Sequence, residues 1–318
     1  KVIFTDGLKN SVANINPYLI GSNTIFILSR SKPISKFPEM SFGNMPADGG
    51  ELLFSTSEKD EFLKQEPSAK PYVKRLISAH EYINGKERWC LWLEDFDLKL
   101  INSFPFIKKR IDSLREIRAK SSRPQLAEIP HLFAQITQEK DKDFILIPRH
   151  SSERREYIPI GFLNSTDVAH DSCLIISDPD INLFGILNSR MHMIWLRIVG
   201  GKLETRFRYS KNVVYNSFPF PELNRQKTDE LTQSSLKILE IRSKYTEKTM
   251  GELYDPDKMP QELRDAHYQN DLAIERCYRS LPFRNDEERL EYLFKLYEKM
   301  IDDEKSANTL FAKQKKSR

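Results

Sequence analysis

The chain has 318 residues, 39% hydrophobic and 30% charged, which is long enough for two domains and ordinary for a soluble globular protein with a real core. Its 50 basic and 46 acidic residues leave a net charge of +4, so a nucleic-acid surface would have to come from local clustering. Cys90, Cys173 and Cys277 are too few and too scattered for a disulfide framework or a zinc site and fit a reducing cytoplasm, and no apolar run approaches the roughly 20 residues that span a bilayer. There is no signal-peptide pattern, and a chain opening at Lys1 without Met is expected to be a piece of a longer one.

Residues 1 to 30 read as short strands and loops, with Asn16, Pro17 and Tyr18 as a turn and Thr24 to Leu28 as an apolar run of strand length. The prolines and glycines between Ser29 and Gly50 mark an extended, turn-rich loop. Glu58 to Leu76 has helical spacing broken at Pro67 and Pro71, which predicts two short helices. Tyr82 to Gly85 predicts a turn, and Arg88 to Leu93 a buried strand whose Trp89 and Trp92 pack in the core. Phe104 to Lys120 predicts an amphipathic helix with Ile107, Ile111, Leu114 and Ile117 on one side. Its other sides carry Lys108, Lys109, Arg110, Arg115, Arg118 and Lys120, either as a solvated face or as a phosphate-contacting one.

The stretch from Ile147 to Pro221 organises the rest. Phe144 to Ile147 reads as a strand that delivers Arg149 to its end, with Tyr157 to Phe162 returning beside it. Cys173 to Ile176 reads as another strand with Asp171 and Ser172 at its mouth. Ile181 to Val199 predicts one helix, apolar round much of its circumference and therefore buried; His192 on it has no nucleophile or orienting carboxylate near in sequence and reads as a core histidine. Gly200 to Ser210 alternates charged and apolar residues, so as a strand it would project Glu204, Arg206 and Arg208 together with Leu203, Phe207 and Tyr209 packed behind. Guanidinium and carboxylate tips on a stiff support suit base reading, because arginine donates bidentately to guanine O6 and N7 and a carboxylate accepts from the cytosine amine.

The tail predicts a three-helix bundle, with helices from about Asp229 to Lys248, Leu263 to Tyr278, and Asp286 to Asp302 capped by Asn285. His267 and Asp271 stand one turn apart, but two ligands do not close a metal site, and they read as a hydrogen-bonded helix contact. Ser306 to Arg318 reads as a frayed basic tail.

On Ser31 to Pro33, Pro38 to Gly50, Tyr82 to Leu93, Ser151 to Phe162, Met191 to Trp195, Arg208 to Ser210 and Val214 to Pro221, residues 16 to 222 resemble the target-recognition domain of MmeI-like type II restriction-modification enzymes. The resemblance implies an α+β fold. A mixed target-recognition domain at 16–222 would be followed by a small helical domain at 223–305 and a basic tail at 306–318, with 1–15 ending a preceding methyltransferase region or linker. The family joins a nuclease, an adenine-N6 methyltransferase and one DNA-reading domain in a chain. This sequence lacks a glycine-rich cofactor loop, an Asn-Pro-Pro-Tyr loop and a nuclease motif, Asp178 with Asp180 being a weak substitute that reads as a turn. It is therefore expected to supply no catalytic residue and to hold no cofactor; S-adenosylmethionine and Mg²⁺ would belong to the parent.

The partners so implied are double-stranded DNA and a methyltransferase domain of the same parent chain, with no membrane; a separate specificity subunit pairing with a methyltransferase in trans is the alternative. By resemblance, base reading falls to the pairs Arg149 with Asp171, Ser172 with Arg208, and Glu204 with Arg206. Arg149 would read a guanine while Asp171 fixes its fork or takes the amine of the paired cytosine. Phosphate contacts are expected from Arg30, Lys32, Arg154, Arg155, Lys211 and the helix around Lys108 to Arg110.

Overall fold

The computed structural model describes residues 26–307 together with Ile15, Pro17 and Tyr18, and the backbone of strands at Val2–Thr5 and Leu8–Ser11 and of 308–316. In chain order, a hairpin of β1 (Val2–Thr5) and β2 (Leu8–Ser11) precedes β3 (Ser41–Phe42), β4 (Leu53–Phe54), α1 (Thr56–Gln65), β5 (Val73–Ile77), α2 (Ala79–Asn84), β6 (Trp89–Leu91) and α3 (Pro105–Ala119). Then come β7 (Phe144–Pro148), β8 (His150–Ser151), β9 (Gly161–Leu163), β10 (Val168–Ala169), β11 (Cys173–Ser177), α4 (Ile181–Leu187), α5 (Arg190–Val199), β12 (Gly201–Leu203) and β13 (Arg206–Arg208). The C-terminal part is helical: α6 (Arg225–Ser243), α7 (Met250–Leu253), α8 (Gln261–Tyr278) and α9 (Asp286–Lys316). The architecture is α+β.

Beside the β1–β2 hairpin, three sheets are found among the described residues of the first two thirds. One runs β10-β5-β6-β4 with β10 parallel to β5; the second, β3-β11-β7-β9, and the third, β12-β13-β8, are antiparallel. In the second sheet, side chains alternate across the pleat. Ile145, Ile147, Leu174 and Ile176 enter the largest core, whereas Phe144, Leu146, Cys173 and Ile175 enter a smaller one with Ile77 and Ala169. Burial on both faces is why these segments are continuous apolar runs rather than alternating ones.

Several elements differ from expectation for local reasons. Val73 to Leu76 is strand, because Pro67 and Pro71 confine the preceding turn to a 3-10 helix, Pro67–Tyr72, which releases the chain onto β6. Tyr82 to Asn84 is helical rather than turn, since Ser78 and Glu81 form a capping box that starts α2. Phe26, Ile27 and Leu28 form no strand, and Thr24 and Ile25 lie outside the described residues. Arg118 is not on an exposed basic face: it is buried and donates to the carbonyls of Pro46, Ala47, Ile129 and Leu132, tying two loops to α3.

The single helix expected over Ile181 to Val199 is two. Asn188, fully buried, donates to Phe184 O, and Ser189 caps α5 by accepting from the His192 N–H. Short polar side chains end one helix and begin the next inside an apolar run, a break that hydrophobic spacing alone conceals.

The C-terminal helices do not keep a core to themselves. Leu231, Ile238, Leu263, Phe294 and Tyr297 share one continuous apolar cluster with Ile145, Leu187 and Trp195. α4 crosses α6 at Gly185, where an added Cβ would lie 2.1 Å from Ser235 Oγ. Polar ties cross the same junction: Asn270 Nδ2 donates to Gly185 O at 2.9 Å and Arg242 Nη1 to Ile160 O at 2.8 Å. Helix α9 continues through Lys316, so most of the expected frayed tail is helical backbone. His267 and Asp271 are each hydrogen-bonded, though not to one another: His267 Nε2 meets Tyr254 Oη at 3.0 Å, and Asp271 accepts from Tyr157 Oη at 2.7 Å and from the Arg190 N–H at 2.6 Å.

Burial raises the Asp271 carboxyl to about 7, against the two hydrogen bonds that favour its charge. A folded-state value above the unfolded one, about 3.9, contributes stability that is present below that unfolded value and lost as pH rises through about 7. The wild type should therefore lose unfolding free energy relative to Asp271→Asn between about pH 4 and pH 7. Parallel urea titrations of the two proteins across that range check it, and a constant difference refutes it.

Candidate nucleic-acid interface

β7 and β8 are one path interrupted at Arg149, and the main chain of that residue closes two ladders. Its N–H donates to Ser172 O at 3.1 Å, prolonging the pairing of β7 with β11, and its carbonyl accepts from the Tyr209 N–H at 2.8 Å, prolonging the pairing of β8 with β13. Asp171 and Ser172 are thereby fixed on one side of Arg149 and Arg208 on the other. The guanidinium is aimed as well: Nη1 donates to the main-chain oxygen of Asp171 at 2.9 Å, and its carbon lies 4.9 Å from the Phe42 ring centre. Nε is buried without a hydrogen-bond partner, so the end of the fork is what Arg149 can offer a ligand.

Asp171 holds that fork through its backbone rather than its carboxylate. Asp171 Oδ1 instead lies 3.0 Å from His170 Nδ1. Ser172 Oγ accepts from the Ala79 N–H at 3.0 Å and lies 3.1 Å from His170 Nδ1, so this side chain is anchored to the start of α2.

Gly200 to Ser210 is a hairpin, not one strand. β12 pairs with β13, Gly201 opposite Arg208 and Leu203 opposite Arg206, with Glu204 and Thr205 in the turn. Folding back pairs the two arms with each other and leaves β12 as a short edge of the sheet. Leu203, expected behind the charged face, is 50% exposed, and Glu204 sits at the tip with φ 57°, a left-handed conformation unfavourable for a side chain with a Cβ. Arg206 and Arg208 do project together, exposed, with Phe207 buried on the opposite face. Among the described residues no side-chain hydrogen bond or ion pair occupies Glu204, Arg206 or Arg208. The arm is fixed from below by Tyr209, whose hydroxyl meets His192 Nε2 at 2.7 Å inside the core, and burial pushes that imidazole down to about 3.

Phe42, Arg149, Arg208, Tyr209 and Lys211 surround a hollow of about 290 Å³. The imidazole of His150, directly opposite Arg208, is pushed below its ordinary range by burial and then by Arg149, Arg208 and Arg206, a measure of how positive this corner is. Sequence reasoning missed Phe42 and His150. Phe42 lies in a turn-rich stretch with no periodicity, while His150, next to Arg149, carried adjacency as its only signal.

The expected phosphate contacts are dispersed. Arg30 pairs with Glu304 at 2.6 Å, Lys32 with Glu39 at 3.3 Å, and Arg154 with Asp257 at 2.6 Å. Arg155 Nη1 donates to Ser151 Oγ at 3.2 Å. On α3, Lys108 pairs with Asp112 at 2.6 Å and Arg110 donates to Glu51 O at 2.6 Å while covering the Phe54 ring. Lys211 stands at the hollow, 6.0 Å from the Phe42 ring centre, in no ion pair among the described residues.

The family model of the MmeI target recognition domain matches residues 21–222, and that of the MmeI C-terminal domain matches residues 222–303. The chain belongs to the MmeI family. A curated relative, DNA methyltransferase A of Bacillus subtilis (strain 168), is 42% identical over 305 residues, covering 95% of this chain and 34% of the relative. A solved structure of the type IIL restriction-modification enzyme MmeI in complex with DNA superposes with a TM-score of 0.88 at 39% identity, covering 93% of this chain and 40% of that one. The chain thus spans about a third of the length of that curated relative. Arg149, Asp171, Ser172, Glu204, Arg206 and Arg208 all fall within the MmeI target-recognition match.

Glu204 carries the strain of the hairpin tip without a compensating bond. Glu204→Gly should relieve a left-handed cost of about 1–2 kcal/mol while losing roughly 0.5–1 kcal/mol to a more flexible unfolded chain, for a net gain of up to about 1 kcal/mol. Urea unfolding of the two proteins reads this directly, and a variant less stable than the wild type would show that the carboxylate supports the turn.

Proposed function

We propose that this chain reads the sequence of double-stranded DNA as the target-recognition part of a type II restriction-modification enzyme that methylates adenine at N6 and carries a linked endonuclease. The observation that carries the reading is the double closure at Arg149, which sets the Arg149 and Arg208 guanidinium groups, with Lys211, around one hollow while fixing the backbone of Asp171 and Ser172 beside Arg149. The family membership supports it, as does the DNA in the solved MmeI complex. The small share of each relative that is covered is in keeping with a methyltransferase domain in the same polypeptide. In this reading S-adenosylmethionine and Mg²⁺ are bound by the rest of the parent, and this chain contributes recognition alone.

The roles follow from donor and acceptor chemistry. Arg149 offers the end of its fork to guanine O6 and N7, and the Asp171 carboxylate accepts from the amine of the paired cytosine. Glu204 and Arg206, uncommitted at the tip of the hairpin, read a C·G pair that family resemblance sets immediately beyond the methylated adenine. Ser172 and Arg208, across Arg149 from each other, read the purine or pyrimidine between. Lys211 and the exposed arginines fix register on phosphates.

Selection from a randomised duplex pool by the full-length protein tests the assignment. Arg149→Ala should relax choice at one base pair by about 1–3 kcal/mol and leave the others intact. Lys211→Ala should weaken binding to every sequence and lower the salt slope by about one. Unchanged sequence choice in Arg149→Ala, Arg206→Ala and Arg208→Ala alike would refute it.

A further inference from the structure

We propose that His170 is a positioning residue that couples two base readers, its Nδ1 deciding at once what Ser172 and what Asp171 present to the DNA. This rests on Asp171 and Ser172 being base readers. Three groups converge on that one nitrogen: the Ser172 N–H at 3.1 Å, Ser172 Oγ at 3.1 Å and Asp171 Oδ1 at 3.0 Å. They cannot all be satisfied in the same protonation state. Unprotonated, Nδ1 accepts from the Ser172 N–H and from the hydroxyl proton. Ser172 then turns a lone pair outward as an acceptor, since its oxygen also receives the Ala79 N–H at 3.0 Å, and the Asp171 carboxylate is free. Protonated, Nδ1–H donates to Asp171 Oδ1, which occupies that carboxylate and releases the Ser172 hydroxyl as a donor.

The backbone gives these groups no other way to adjust. His170 N donates to Ile77 O at 2.9 Å, Asp171 N to Asn44 O at 3.0 Å, Cys173 N to His170 O at 2.9 Å and Asn44 N to Ala169 O at 2.7 Å. Gly43 passes so near that a Cβ there would lie 2.2 Å from His170 O. With the main chain held on both sides, the state of the imidazole is the remaining variable. Burial lowers its affinity for a proton most; Asp171 opposes this, Arg88 adds to it, and Glu81 and Asp48 oppose it, leaving the group below its ordinary value. At neutral pH His170 is therefore uncharged, and with the Ser172 N–H donating to Nδ1 its one proton sits on Nε2, so Ser172 accepts and Asp171 reads.

The test is duplex selection by the full-length protein bearing His170→Ala, His170→Asn, His170→Gln, Asp171→Ala or Ser172→Ala. The Asn amide reaches the place of Nδ1; the longer Gln amide reaches that of Nε2. His170→Ala and His170→Gln should each lose about tenfold in discrimination at both the Asp171 and the Ser172 base pairs, while the pair read by Glu204 and Arg206 is unaffected. His170→Asn should select as the wild type does. Acidification past the ordinary histidine range, far enough to protonate an imidazole whose proton affinity burial has lowered, should shift the wild-type preference at the two base pairs together and leave that of His170→Asn unchanged. Equal behaviour of His170→Asn and His170→Gln, or loss confined to one base pair, overturns the proposal, and this contrast decides even where His170→Ala fails to fold. Should Asp171→Ala and Ser172→Ala select like the wild type, it is the base-reader assignment beneath the proposal that fails.

Discussion

The geometry of the candidate interface depends on the two main-chain hydrogen bonds of Arg149. One residue between two short strands closes both the β7–β11 ladder and the β8–β13 ladder. Backbone hydrogen bonds are obligatory wherever water is excluded, so neither ladder can slip by a residue without leaving a buried donor or acceptor unpaired. Register in one sheet is thus locked to register in the other. Side chains far apart in sequence keep fixed spacing without any direct contact between Asp171 and Arg208.

That rigidity is backed from behind by the C-terminal helices. Trp195 of α5 packs against Phe294 and Tyr297 of α9, and the same helix presents His192 to the Tyr209 hydroxyl beneath the hairpin. The chain from α9 through α5 to β13 is continuous packing, with neutral, buried hydrogen-bonding groups where polarity is needed. Deleting the helical part would expose a large share of the core that holds β7, β8 and β13, so it supports the candidate interface structurally.

Much of this was legible in the sequence, and the failures share a cause. Strands β7 and β11 and helices α3, α6 and α8 announce themselves by apolar runs or 3.6-residue spacing, and Arg149, Asp171 and Ser172 do lie at strand mouths. Alternation at Gly200 to Ser210 survives passage through a two-residue turn, so a hairpin and a strand look alike until the φ of Glu204 is known. The break at Asn188 and Ser189 is hidden by apolar neighbours on both sides, and the path of β5 depends on its pairing with β6. Each of these was decided by a local side-chain cap, by a hydrogen bond between residues distant in sequence or by one backbone angle, none of which hydrophobic periodicity encodes.

The basic side chains divide by what it costs to release them. An exposed ion pair contributes about 0–1 kcal/mol, so a phosphate can take Lys32 from Glu39 or Arg154 from Asp257 with little loss. Arg30 is different: its side chain is 19% exposed, and its buried Nε has no partner. Detaching it from Glu304 would strand a partly desolvated charge, which disfavours exchange. Arg118 and Arg110 are spent on carbonyls inside the fold. Lys211, Arg206 and Arg208 need no such exchange, since they stand in no ion pair among the described residues, and with Arg149 they gather positive charge that the mild net charge of the chain conceals; after burial, the larger cause, the three arginines add to the depressed affinity of His150 for a proton.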